Sequence, residues 1–337
     1  DCQRIATIVM AMHPSNSRHK HRRIFTPMNI GLMLLMLSLC SCNHQSDKGY
    51  MNNCDSKFAG SEVSNRALLS TRYPNLKSLE AIMSIEYLNG SEGFLSPAVR
   101  VSHCSKGKEV VSILESGVDE GDFRAAQEGG IIEKVTLAIN SPYAIQNRSA
   151  LTAVYYLARR RPDLFKEGDV AFYDIAVQTL RNINSQELPH IPAKDTGEKG
   201  FINTFNHITA QAFVTSFHSE DLADFIADSH ERHAMPELLT GAFSKEQLID
   251  PDKNPMDNYV DIVNNEWGQE IGIELGLKYS ITDQTIWTPE LLSDYLNDLQ
   301  NHYSWAFGIG FDPFKPSDKV IQKFSTKINL VLGNKSV

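Results

Sequence analysis

Along most of the chain, apolar positions recur every three to four residues, the spacing of one buried helix face. "LKSLEAIMSIEYL" (76–88) carries them at 76, 79, 82, 83, 85 and 88 and reads as helix. "ALTAVYYLARR" (150–160) repeats the pattern and stops ahead of Pro162, and "DVAFYDIAVQTLRNI" (169–183) follows it. Ser141 before Pro142 offers a cap and a first-turn proline for one more helix. "IIEKVTLAI" (131–139) suits a strand or a helix, and beyond such short runs no segment alternates as a half-buried strand would.

A turn-rich stretch, "NSQELPHIPAKDTGEKG" (184–200), separates these elements from a second helical series. One helix covers Phe201 to Phe217. The next follows Ser219, with Glu220 and Asp221 placed to complement its dipole. A third follows Asn254, with Pro255 at its first position, and two late helices follow Thr288 and Ser317. "WAFGIGFDPF" (305–314) is dense enough in aromatics and glycines to line a ligand or partner groove, but reads first as a loop that plugs its rings into the core. The expected fold is all-α: an irregular multi-helix bundle over 201–337 with a smaller N-terminal helical part over 66–183, joined by the loop at 184–200.

The N-terminus has a different pattern. A basic run, "SRHKHRR" (17–23), precedes an apolar run, "IGLMLLMLSL" (30–39), far shorter than the roughly eighteen residues that span a bilayer. This is the layout of a secretory signal. It ends in "LCSC", which resembles a bacterial lipobox: Leu39, Cys40 and Ser41 lead into Cys42 as the residue to be acylated. Two or three acyl chains on Cys42 would anchor the chain, each buried methylene adding about 0.8 kcal/mol. The expected layout is a lipoprotein-type signal region over 1–41 and a flexible tether over 42–65. Asn43 two positions into the mature chain, rather than Asp, points to the outer membrane.

Charge narrows the partners. Loss of residues 1–41 removes Asp1, Arg4, Arg18, Lys20, Arg22 and Arg23, so the chain's 32 basic and 41 acidic residues become 27 and 40 and its net charge moves from −9 to −13. That balance disfavours nucleic acid and anionic lipid as partners, although "ARRRP" (158–162) is locally basic. Cys54 and Cys104 remain after Cys42; in an oxidising compartment they are either bridged or two free thiols.

Polar residues occupy unusual places on the three central helices. Asn203 and His207 share a face that continues through Ala210, Val214 and Phe217. On the next helix the apolar face of Leu222, Phe225 and Ile226 continues into Ser229 and His230, so His230 faces the core, while Asp224, Asp228 and Glu231 form a flanking acidic stripe. On the third, Asp261, Asn264, Asn265, Gly268 and Gly272 share one stripe. Interior glycines cost about 1 kcal/mol each against alanine, so that stripe is expected to admit another backbone, with Asp261 and the asparagines bonding across the contact.

In order, N-x-x-x-H (Asn203, His207), D-x-H-E (Asp228, His230, Glu231) and D-x-x-N-N-x-x-G-x-x-I-G (Asp261, Asn264, Asn265, Gly268, Ile271, Gly272) resemble an uncharacterised all-α bacterial domain. That domain occurs in wall-associated and polymorphic-toxin-like proteins and in some lipoproteins. The resemblance covers residues 180–276 and departs from the pattern at Gln269, where the family often has arginine, and in "ITAQA" after His207. It implies a helical body with a polar cluster and brings no reaction with it.

Two functional readings stand. In one, the chain is an anchored lipoprotein whose Asn203, Asp228, Asn264, Asn265 and Gly268 network fixes helix register. In the other it is a hydrolase acting on an envelope or toxin-type substrate. There His207, His230, Glu231 and Asp261 would be catalytic, with or without a divalent metal such as zinc. The H-E-x-x-H, G-x-S-x-G, P-loop and dinucleotide motifs are absent: "HERH" puts His233 three residues after His230 rather than four. Exposure separates the two readings, since a catalytic pair of histidines must line an opening.

Overall fold

A computed structural model describes residues 67–88, 96–105, 108–249 and 255–333. The signal region, Cys42, Cys54 and the tether lie outside them. The order is α1 (Leu76–Glu80), β1 (Met83–Leu88), β2 (Ala98–Ser105), β3 (Lys108–Glu115), α2 (Glu120–Glu128), α3 (Ile131–Asn140), α4 (Pro142–Gln146), α5 (Arg148–Ala158), α6 (Pro162–Phe165) and α7 (Phe172–Arg181). Short turns then lead to α8 (Asn203–Phe217), α9 (Glu220–Ala234), α10 (Glu237–Thr240), α11 (Lys245–Ile249), α12 (Met256–Lys278), α13 (Pro289–Phe307) and α14 (Lys319–Leu332). The fold is all-α in its main body, and a small antiparallel sheet of order β1-β2-β3 lies in the N-terminal part.

The caps form as the sequence requires. Ser141, Ser219 and Thr288 accept from the backbone N–H of Ala144, Leu222 and Leu291, giving α4, α9 and α13 fixed starts. The ambiguous 131–139 segment is helix α3.

One expectation is corrected. Residues 76–88 are not one helix: α1 ends at Glu80, and Met83 to Leu88 pair with β2, Met83 opposite His103 and Leu88 opposite Ala98. From residue 83 onward the apolar spacing of 83, 85 and 87 is a period of two, hidden by Ile82 and Leu88. β2 escaped detection for a different reason. Ala98, Val99, Val101, Ser102, His103 and Cys104 are all buried, so neither face of the strand shows the alternation of a half-solvated sheet. Cys104 is disulfide-bonded, and every other cysteine of the chain lies outside the described residues.

Two apolar clusters hold the body. The larger is aromatic: Phe172, Phe201, Phe205, Phe213, Trp287, Tyr295, Tyr303 and Phe324 pack between α7, α8, α13 and α14. It draws on residues both before and after 184–200. Phe314 and Ile309 of the "WAFGIGFDPF" segment are buried in it, whereas Trp305 is exposed. The smaller cluster joins Met83, Val99, Val101 and Leu114 of the sheet to Tyr259, Val260 and Val263 of α12. Each such side chain, fully buried, contributes about 1.5–3 kcal/mol. Among the described residues no helix is long and apolar enough to cross a membrane.

The tightest contact is α8 against α12. A Cβ placed on Gly268 would sit 2.8 Å from the Ile208 carbonyl oxygen, one on Gly272 2.5 Å from that of Ala212, and one on Gly276 3.3 Å from Ser216 Cα. Glycines four residues apart let the backbones touch along two turns. That closeness brings the polar ends of both helices together.

Candidate functional site

Four of the expected site residues meet where α8, α9 and α12 converge. His207 comes from α8, His230 and Glu231 from α9, and Asp261 from α12. His207, Glu231 and Asp261 are 7, 3 and 4% exposed; the His230 side chain keeps 21% of its surface, so the cluster lies at an edge. The His207 and His230 rings stand 5.8 Å apart. One donor atom each from His207, His230 and Glu231 lies within 4.8 Å of the others.

The hydrogen bonds form a directed chain. Asn203 Nδ2 donates to both Asp261 oxygens, at 3.1 and 3.0 Å. Asp261 Oδ2 lies 3.3 Å from His207 Nε2. His207 Nδ1 is 2.9 Å from Asn265 Oδ1, and Asn265 Nδ2 donates to Glu231 Oε1 at 3.2 Å. A carboxylate only accepts, so the bond to Glu231 turns the amide oxygen of Asn265 toward His207. His207 therefore faces an acceptor at each ring nitrogen.

His230 has a partner with no local sequence signal. Its Nδ1 lies 2.9 Å from Oε1 of Glu120, the first residue of α2, 110 positions away in the chain. Glu120 is buried. His233 falls outside the cluster: half exposed, it stands 3.6 Å from Asp119. Asp228 takes no part in the inner chain either. It accepts from Arg232 Nη2 at 2.8 Å, and Arg232 also donates to the carbonyls of Glu115 and Val118, tying α9 to the end of β3. Asn264 is structural: its amide accepts from Leu68 N–H and donates to Leu68 C=O. Gly268 gives α12 its close approach to α8.

Acidic groups outnumber basic ones around the centre. Burial holds the Asp261 carboxyl well above the ordinary carboxylate range; Asp257 and Glu231 raise it further, against the opposing pull of His207 and Asn203. Burial also pushes Asp228 up to about 8, despite Arg232. Asp257 Oδ1 is buried with no hydrogen-bond partner. Two imidazoles and one guanidinium stand against Glu120, Asp228, Glu231 and Asp261, and Asp257 lies close enough to raise Asp261 further. Such a centre can hold protons or a cation, and it can orient and polarise a water.

The basic run at 158–162 is largely matched by acids: Arg160 pairs with Asp174 and Arg161 with Asp163. No family model matches the chain, and neither a curated protein nor a solved structure does so.

Proposed function

We propose that the chain is an envelope lipoprotein, anchored at the outer membrane through acylated Cys42, whose helical body is a hydrolase centred on His207, His230, Glu231 and Asp261. The observation that carries the hydrolase reading is the convergence of two histidines and a carboxylate within 4.8 Å, in an acid-rich surround, with His230 reaching the surface at 21% side-chain exposure while His207 and Glu231 are buried. Hydrolysis needs a polarised water and a group that takes its proton, and the imidazoles and carboxylates of the cluster are of the types that serve in both roles. The motif order resembles a domain of wall-associated and toxin-like proteins, which supports a substrate in the envelope or in a competing cell.

A second reading rests on the burial of His207 and on the polar chain that runs from Asn203 through Asp261, His207 and Asn265 to Glu231, which would fix the register of the three helices without any reaction. The anchor is tested by acyl labelling of the wild-type chain and a Cys42→Ser variant in a bacterial host: label and membrane fractionation are expected to vanish together in the variant. The hydrolase is tested with purified chain on chromogenic esters and phosphodiesters and on isolated cell wall. Turnover that drops by about 10²–10⁴ in His207→Gln supports it. Turnover that survives His207→Gln undiminished removes the cluster from the reaction.

A further inference from the structure

Both histidines of the cluster are held from behind by a buried carboxylate. Asp261 Oδ2 stands 3.3 Å from Nε2 of His207, and Glu120 Oε1 stands 2.9 Å from Nδ1 of His230. The carboxylates come from different elements, α12 and α2, and the one meets Nε2 of its histidine while the other meets Nδ1. Metal-ligating histidines are oriented in this way: the nitrogen opposite the ligating one gives its proton to a carboxylate, which fixes the tautomer and strengthens the donor. The opposite nitrogens here are Nδ1 of His207 and Nε2 of His230. Nδ1 of His207 lies 3.9 Å from Glu231 Oε1 and 2.9 Å from Asn265 Oδ1. Atoms that share a metal at about 2.1 Å stand roughly 3 Å or slightly more from one another, and the donor atoms of His207, His230 and Glu231 lie within 4.8 Å, so a common cation requires these side chains to close in by about an ångström or more and Asn265 Oδ1 to leave His207 Nδ1.

We propose that His207 Nδ1, His230 Nε2 and Glu231 bind one divalent first-row metal of the zinc class, with water completing the shell and Asp261 and Glu120 acting as positioning residues. Two neutral imidazoles and one carboxylate are the donor set of zinc centres that keep an open position. The dication also answers the charge surplus, since Glu120, Glu231 and Asp261 are buried together and Asp257 Oδ1 has no hydrogen-bond partner. Loading breaks the bond between His207 Nδ1 and Asn265 Oδ1, leaves the His207 proton on Nε2 as a donor to Asp261 Oδ2, and frees the Nδ1 lone pair for the metal.

The inference deepens the hydrolase reading but is tested by binding, not turnover, so the two can fail separately. Full-length chain in detergent is stripped with chelator and titrated with Zn²⁺ by calorimetry, and with Co²⁺ by visible absorption. One site per chain is expected, with the intense cobalt bands of a low-coordinate centre. Glu120→Gln removes only the carboxylate behind His230 and should weaken Zn²⁺ by about 10–100-fold, with circular dichroism unchanged. His230→Gln should abolish the site. A wild-type chain that takes up neither ion, or one whose Zn²⁺ affinity is the same in Glu120→Gln and His230→Gln, would overturn the assignment.

Discussion

Gly272→Ala offers a test in which the usual rule changes sign. In the middle of an exposed helix this replacement stabilises by about 1 kcal/mol, because alanine loses less backbone freedom than glycine. At position 272 the added methyl would meet the Ala212 carbonyl oxygen at 2.5 Å and Thr215 Cβ at 2.8 Å. Ordinary contacts of this kind are longer by more than half an ångström. The oxygen belongs to the backbone of α8 and cannot move alone, so the two helices must separate. Overpacking of this kind costs about 1–3 kcal/mol, and two short contacts place it toward the upper end. Set against the propensity gain, the net expectation is a loss of about 2 kcal/mol. Urea unfolding with an unchanged m-value reads it directly. Gly276→Ala is the internal control: its nearest atom is 3.3 Å away, and its effect should be much smaller. A Gly272→Ala protein as stable as wild type or more so would refute the close approach of α8 and α12, and with it the placement of His207 beside Asp261.

Asn264→Ala removes both bonds to Leu68 and leaves that residue's N–H without its partner; unfolding should show a loss of about 2–4 kcal/mol with no change in Zn²⁺ affinity. His218 follows α8, its Nε2 is buried without a partner, and burial holds its imidazole below the usual 6.5, against a weak opposing pull from Asp283. The folded chain therefore binds this proton less readily than the unfolded chain, so stability present above pH 6.5 is lost as pH falls through the lowered value. His218→Phe should flatten that part of the stability–pH curve relative to wild type; identical slopes would show that His218 contributes nothing to it.

The helices that build the centre are legible because their signals are local. Ser219, Pro255 and Thr288 mark starts, and the stripes of Asn203 with His207 and of Asp261 with Asn265 put polar groups where a core face should be. The glycine stripe was readable for a similar reason: two helix-breaking residues in register need a cause, and the contact with α8 supplies it. What stayed hidden depends on non-local contacts. Glu120 sits in a polar loop-to-helix run, and nothing within 100 residues of it points to His230. Asn264 and Asn265 are neighbours in sequence, yet one serves the backbone of Leu68 and the other bridges His207 to Glu231. Their spacing cannot divide those roles. The sheet was missed because β2 is buried on both faces and β1 follows an amphipathic turn, so neither strand shows a clean period of two.

The central claim is that the His207–Asp261 cluster exists for chemistry, so that its excess of buried negative charge weakens the fold. The most direct test is the urea midpoint at pH 7 of chelator-stripped wild type beside Asp261→Asn, which keeps the shape and cannot ionise. Asp261 is disfavoured as an anion in the folded chain because its pKa is raised, so stability falls as pH rises through the window above 3.8. A side chain that cannot ionise avoids that loss. The account predicts a higher midpoint for Asp261→Asn at pH 7, together with weakened Zn²⁺ binding. A midpoint lowered by the equivalent of about 1–3 kcal/mol, the usual result of breaking a satisfied buried hydrogen bond, would contradict it and make the cluster a structural network.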